Sequence, residues 1–186
     1  MHPHHPESRV AIMENPYIQP RDTDILQHWI ALYHAQGGGA VSVARILDAV
    51  PVLRALEPPS SPQLGGLGMS TAAIAALHQT DTAAIARDLE WHLLPGNRIL
   101  TCRDPDYPVM LAQLDAPPPI VYVHGDCALL SEPQLAMVGS RHPTPSGIRI
   151  ATEFARYLSA AGLVVTSGLA LGIDAACHTV ALQAGA

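Results

Sequence analysis

Two glycine-bearing loops hold the residues of this chain best suited to chemistry. The first is Gly139-Ser140-Arg141, with Thr144 close behind. It offers backbone N–H groups, hydroxyls and a guanidinium. That set suits a phosphate, because arginine can engage two oxygens at once. The second is Ser167-Gly168-Leu169-Ala170-Leu171-Gly172, running into Ile173-Asp174. The candidate phosphate-binding residues are Gly139, Ser140, Arg141, Thr144, Ser167, Gly168, Ala170, Gly172 and Asp174. Asp174 falls in a first helical turn, where the dipole stabilises a carboxylate. It either orients Arg141 or caps backbone donors. His178 follows one turn later on the same face. No nucleophile accompanies the two, so they read as a hydrogen-bonded structural pair, not a catalytic one. No GxGxxG follows a strand and no P-loop is present, which disfavours the common dinucleotide and nucleoside-triphosphate sites.

The flanking sequence says how these loops are positioned. Leu135-Ala136-Met137-Val138 is too short for a helix and right for a buried strand. Thr144 before Pro145 signals a helix start, a hydroxyl cap ahead of proline at the first helical position. From Gly147 to Ala161, residues Ile148, Ala151, Phe154, Ala155, Leu158 and Ala161 recur at helical spacing, predicting one buried face. Gly162 is placed to end that helix. Leu163 to Thr166 reads as a second buried strand, and Ile173 to Ala184 as a second helix. Strand-loop-helix-strand-loop-helix is a parallel α/β unit. Both loops then lie at strand ends and helix starts, where anions are favoured.

Upstream, residues 1–20 are rich in His and Pro and lack an apolar period, so they read as a flexible tail. His2, His4 and His5 in that tail are taken as incidental. Thr23 or Asp24 caps a helix to about Gln36, with Ile25, Trp29, Leu32 and Tyr33 on one face. Helices follow at Val41–Val50, Pro51–Glu57, Thr71–Gln79 and Thr82–Leu94. Gly37-Gly38-Gly39 is read as a tight turn. A phosphate-binding helix-hairpin-helix loop is the alternative, disfavoured because no basic residue follows until Arg45. The predicted domains are therefore a small all-helical one at 21–94 and an α/β one at 95–186. Asn97–Cys102 and Ile120–Val123 read as strands extending the parallel sheet, with a short helix at Val109–Leu114 between them.

The net charge of −6 argues against a strongly basic nucleic-acid binder. Its distribution softens the objection: residues 137–186 carry three arginines against two carboxylates, so the acidic excess lies upstream. Every basic side chain apart from histidine is arginine. Three scattered cysteines fit neither a disulfide framework nor a zinc ribbon, and a reduced cytoplasm is the expectation. No apolar run reaches membrane-spanning length, and the N-terminus has no secretory signal pattern.

The stretch Met137-Val138-Gly139-Ser140-Arg141…Gly147, followed by Val164-Val165-Thr166-Ser167-Gly168-Leu169-Ala170-Leu171-Gly172-Ile173-Asp174-Ala175-Ala176-Cys177-His178, resembles the DprA (Smf) family of DNA-processing proteins. Asp104…Tyr107-Pro108 and Pro118-Pro119-Ile120-Val121-Tyr122-Val123-His124-Gly125-Asp126 match that family's entry into its Rossmann-like domain. Residues 21–94 resemble its sterile-alpha-motif-like N-terminal domain more weakly. Ser146 departs from the pattern, which often has an aromatic residue there.

The resemblance implies an α/β fold, an incomplete Rossmann-like parallel sheet after the helical domain. It implies a cytoplasmic protein that binds single-stranded DNA, protects incoming DNA and loads the RecA recombinase in natural transformation. It implies homodimerisation in the full-length family, no catalysis, no cofactor, no metal and no membrane. The family's sheet continues beyond Ala184-Gly185-Ala186, so a truncated product without dimerisation is expected. Two rival readings are a Rossmann-like nucleotide phosphoribohydrolase and a non-functional fragment. The first needs a GGG…GLMG loop where this chain has Ser167 to Asp174.

Overall fold

The computed structural model describes residues 20–35, 61–66, 70–79 and 81–184. The histidine-rich stretch, the Gly37-Gly38-Gly39 turn and the helices expected at 41–57 lie outside them. The chain divides into two compact units, one up to Cys127 and one from Ala128.

The first unit contains α1 (Pro20–Ala35), α2 (Ser61–Gly66), α3 (Thr71–His78) and α4 (Thr82–Leu93). It also contains β1 (Asn97–Thr101), the single turn α5 (Val109–Ala112) and β2 (Ile120–His124). Asp81 caps α4, its carboxylate accepting from Ala83 N at 2.9 Å and Ala84 N at 3.1 Å. The α1 stripe is wider than the periodicity predicts. Leu26 and Ile30 are buried alongside Trp29 and Leu32, because α1 packs against α3, α4 and β2 together. Leu64, Ile85, Ile99 and Ile120 complete this core.

The two strands do not extend a parallel sheet; they form an antiparallel pair with Ile99 opposite Tyr122 and Thr101 opposite Ile120. The connection explains why. Parallel strands need a long crossover, usually a helix, whereas an antiparallel pair needs only a return. Here the segment between them is folded back on itself. Asp104 Oδ2 accepts from Thr101 N at 2.5 Å and Thr101 Oγ1 at 2.8 Å. Tyr107 Oη donates to Pro118 O at 2.7 Å, and Cys102 N to Pro119 O at 3.0 Å. Arg98 pairs with Asp106 at 2.6 Å. The pair packs on α1 and α4, so the change of texture near Leu94–Asn97 falls inside a compact unit.

The second unit begins within a 3-10 turn (Cys127–Ser131) and continues through β3 (Gln134–Ala136), α6 (Pro145–Ala160), β4 (Val164–Thr166) and α7 (Ile173–Ala184). β3 and β4 are parallel, Leu135 opposite Val165, and Met137 N donates to Thr166 O at 2.8 Å. This is the expected strand–helix–strand–helix order. Two details differ from expectation. β3 is exposed along its length, not buried. The buried face of α6 is Ala151, Ala155 and Ser159, while Ile148 and Phe154 are exposed. Ala151 and Ala155 pack against Val165 and against Cys177, Val180 and Ala181 of α7. No helix among the described residues is long and apolar enough to cross a membrane.

Candidate functional site

Thr144 starts α6 as its spacing predicts. Its Oγ1 accepts from Gly147 N at 3.1 Å, with Pro145 at the first position. Thr144 is therefore a cap, and that hydroxyl also meets Ser146 Oγ at 3.1 Å. Close packing of α6 on α7 brings the two helix starts, and the loops before them, to one end of the strand pair.

The loops interlock through backbone. Ile173 N donates to Ser140 O at 3.1 Å. Gly172 has φ +88°, and a Cβ there would collide with Ser140 O and lie 2.9 Å from Arg141 Cα. At Gly139 a Cβ would sit 2.8 Å from the Ile173 side chain. Both glycines are thus required by close approach, and Ile173 is the hub. Residue type and spacing alone do not single out Ile173. Its signal was an apolar residue at a helix start, directly after a loop glycine.

The predicted residues then sort by role. Gly139, Ser140 and Arg141 are brought against Gly172 and Ile173. Ser140 Oγ accepts from His142 N at 3.1 Å, and Ser167 Oγ from Leu169 N at 3.3 Å. Ala170 O accepts from Ala175 N at 3.1 Å, tying the loop to α7. Asp174 is buried, and its Oδ2 accepts from Gly168 N at 3.1 Å. Of the two roles open to it, it fills the capping one; among the described residues no ion pair joins it to Arg141.

The expected hydrogen bond between Asp174 and His178 is absent. Asp174 is turned to the loop, and His178 Nε2 is buried without a partner among the described residues. Burial, with Asp174 nearby, pushes the Cys177 thiol up.

After these bonds are made, the N–H groups of Gly139, Ser140, Arg141, Ala170, Leu171 and Gly172 donate to nothing among the described residues. Arg141 is exposed beside them. Unpaired N–H groups from two converging loops, with a guanidinium at their edge, can donate to the oxygens of an anion. The buried Asp174 carboxylate works against that field, which leaves Arg141 to supply the compensating positive charge.

A family profile described as DNA recombination-mediator protein A matches residues 98–186. Protein Smf of Synechocystis sp. is 29% identical over 163 residues, 84% of this chain and 41% of that protein. DNA processing protein DprA of Streptococcus pneumoniae is 36% identical over 107 residues, 58% of this chain and 36% of that protein. DNA processing protein DprA of Bacillus subtilis is 34% identical over 79 residues, 42% of this chain and 27% of that protein. The chain thus spans less than half the length of these curated relatives. The X-ray structure of DprA from Streptococcus pneumoniae has the same fold at a TM-score of 0.62 and 24% identity. The match covers 90% of this chain and 56% of that one. The interlocked loops lie within the matched stretch, and these likenesses, with the Rossmann-like α/β order, support a protein similar to the DprA/Smf family of DNA-processing proteins.

Proposed function

We propose that the paired loops grip the sugar-phosphate backbone of single-stranded DNA, in a cytoplasmic protein of DNA processing during transformation. The observation that carries this reading is the set of unpaired N–H groups beside Arg141. Such groups are strong donors, and backbone contacts fix position on a strand without reading sequence. The reading is non-catalytic. Asp174 is occupied by Gly168, and burial holds Cys177 as a thiol, so neither serves as base or nucleophile. Loading of RecA and homodimerisation are proposals about the whole protein and are not assigned to these loops.

Salt titration of oligonucleotide affinity tests the proposal. Losing one phosphate contact lowers the salt slope by about 0.7 for a single strand. Arg141→Ala is expected to weaken binding about equally for all sequences and to show that change. Arg156→Ala, on the exposed side of α6, is expected to cost less. Equal losses would move the site to a diffuse basic face.

A further inference from the structure

Around the unpaired N–H groups stand three exposed aliphatic side chains. Val138 is 73% exposed, and Leu169 and Leu171 are each 76% exposed. Two of them belong to the Ser167–Gly172 loop itself. Leu171 adjoins Gly172, which packs on the Arg141 backbone. Leu169 has φ +54°, a conformation that favours glycine or asparagine and is unfavourable for a branched side chain. Glycine there would relieve the backbone and remove apolar surface from water at once. A residue that is unfavourable on both counts points to contact with a ligand.

The occupant follows from the surrounding chemistry. Donors and a guanidinium draw an anionic backbone to the loops, so the apolar side chains beside them meet whatever that backbone carries. In a duplex the faces of the bases are stacked and hidden; in a single strand they are free. We propose that Val138, Leu169 and Leu171 form an apolar collar that packs on the faces of unpaired bases. In this way the site selects a single strand over its bare phosphates. The collar rests on the phosphate reading of the same loops.

The test compares a thymidine oligomer with an abasic oligomer of equal length, which keeps the phosphates and lacks the bases. The unaltered chain is expected to prefer the thymidine oligomer. Leu169→Gly and Leu171→Ser should each lower that preference about fivefold, the scale for part of a leucine leaving water. Leu169 supplies none of the unpaired N–H groups, its own N–H donating to Ser167 Oγ, so Leu169→Gly should leave the affinity for the abasic oligomer and the salt slope unchanged. Leu169→Gly keeps the loop conformation, since glycine adopts this φ freely.

Equal affinity for both oligomers, or a preference that survives the substitutions, would overturn the collar while the phosphate reading stands. Equal weakening of both by the variants would make the leucines mere supports of the loop and also overturn it. If neither oligomer binds the unaltered chain, the phosphate reading fails and takes the collar with it. If sedimentation shows an oligomer that Leu169→Gly or Leu171→Ser dissociates, a second copy covers these leucines, and the base contact is wrong.

Discussion

The two units of this molecule bury opposite kinds of side chain. The first fills its interior with Leu26, Trp29, Ile30, Leu64, Ile85, Ile99 and Ile120. The second packs Ala151, Ala155, Val165, Cys177, Val180 and Ala181, and leaves Phe154, Tyr157 and Leu182 exposed. Large residues hold helices apart and fill the space between them. Small ones let two helices approach closely, as when Cys177 Sγ reaches Ala151 O at 3.8 Å. Close approach of α6 and α7 is what sets Ser140 O against Ile173 N and holds the candidate site in register. The first unit uses its bulk for stability; the second uses its lack of bulk for position.

The largest expected effect is therefore in the first unit. Ile30 is fully buried at the centre of α1. Ile30→Ala is expected to destabilise that unit by about 2–5 kcal/mol, the cost of the lost contacts plus a cavity. Both tryptophans, Trp29 and Trp91, lie in this unit, so the emission shift in urea reports it selectively. A loss under half a kcal/mol would mean that α1 is not its organising helix.

In the second unit the sensitive direction is reversed, toward larger side chains. Ala155 is fully buried between α6 and its neighbours. Ala155→Leu should destabilise by about 1–3 kcal/mol through overpacking. Faster amide exchange is expected in α6 and α7, with tryptophan emission unchanged. Oligonucleotide affinity should fall too, because the loops lose their register. Unaltered exchange would show that the helix pair tolerates a wider spacing, which would break the contrast between the units.

How legible this was depended on range. Thr144-Pro145, the six-residue loop and Asp174 in a first helical turn are local signals, and they predicted α6, α7 and the loops closely. The pairing of β1 with β2 was not legible, because Asn97–Thr101 and Ile120–His124 are equally good strands in either direction. The folded segment around Asp104, Tyr107 and Pro118 decided it. The α6 face was misjudged for a related reason. Phe154 and Ala155 are both apolar, and only the packing of α7 shows that the smaller one goes inside. Ile173 escaped notice because a hub is defined by what touches it.

A smaller effect should separate the units by pH. His92 Nδ1 accepts from Ile99 N at 2.9 Å and is buried, which fixes the ring as neutral with its proton on Nε2. Burial lowers its pKa, Arg98 lowers it further, and Asp104 opposes them. A base whose pKa is depressed on folding binds more protons unfolded, so stability rises with pH. This contribution is full above 6.5, the ordinary value, and is lost as pH falls through the folded value. Urea midpoints by tryptophan emission should decline over that window. His92→Gln, whose amide oxygen can accept the same N–H without titrating, should flatten the decline. An equal slope in the variant would assign the pH dependence to other groups.

The smallest expected effect is the sharpest test of the contrast. Phe154 and Ala155 are neighbours in sequence, on one helix with the same propensity demands. Phe154 is 59% exposed, whereas Ala155 is sealed. Removing a buried phenylalanine costs about 3–5 kcal/mol. Replacing an exposed side chain away from caps and networks stays within about 0.5 kcal/mol. Phe154→Ser should therefore leave the amide exchange of α6 and α7 unchanged, though the ring is the only phenylalanine in the chain. It should also leave Arg141-dependent oligonucleotide binding intact, because Ile173 and the two glycines, not this face, hold the loops. A loss near the buried value would mean that the ring packs on something, and that the second unit has a bulky core after all. A small change beside a large one at Ala155 would show that in this unit the helix pair is held by its smallest residues.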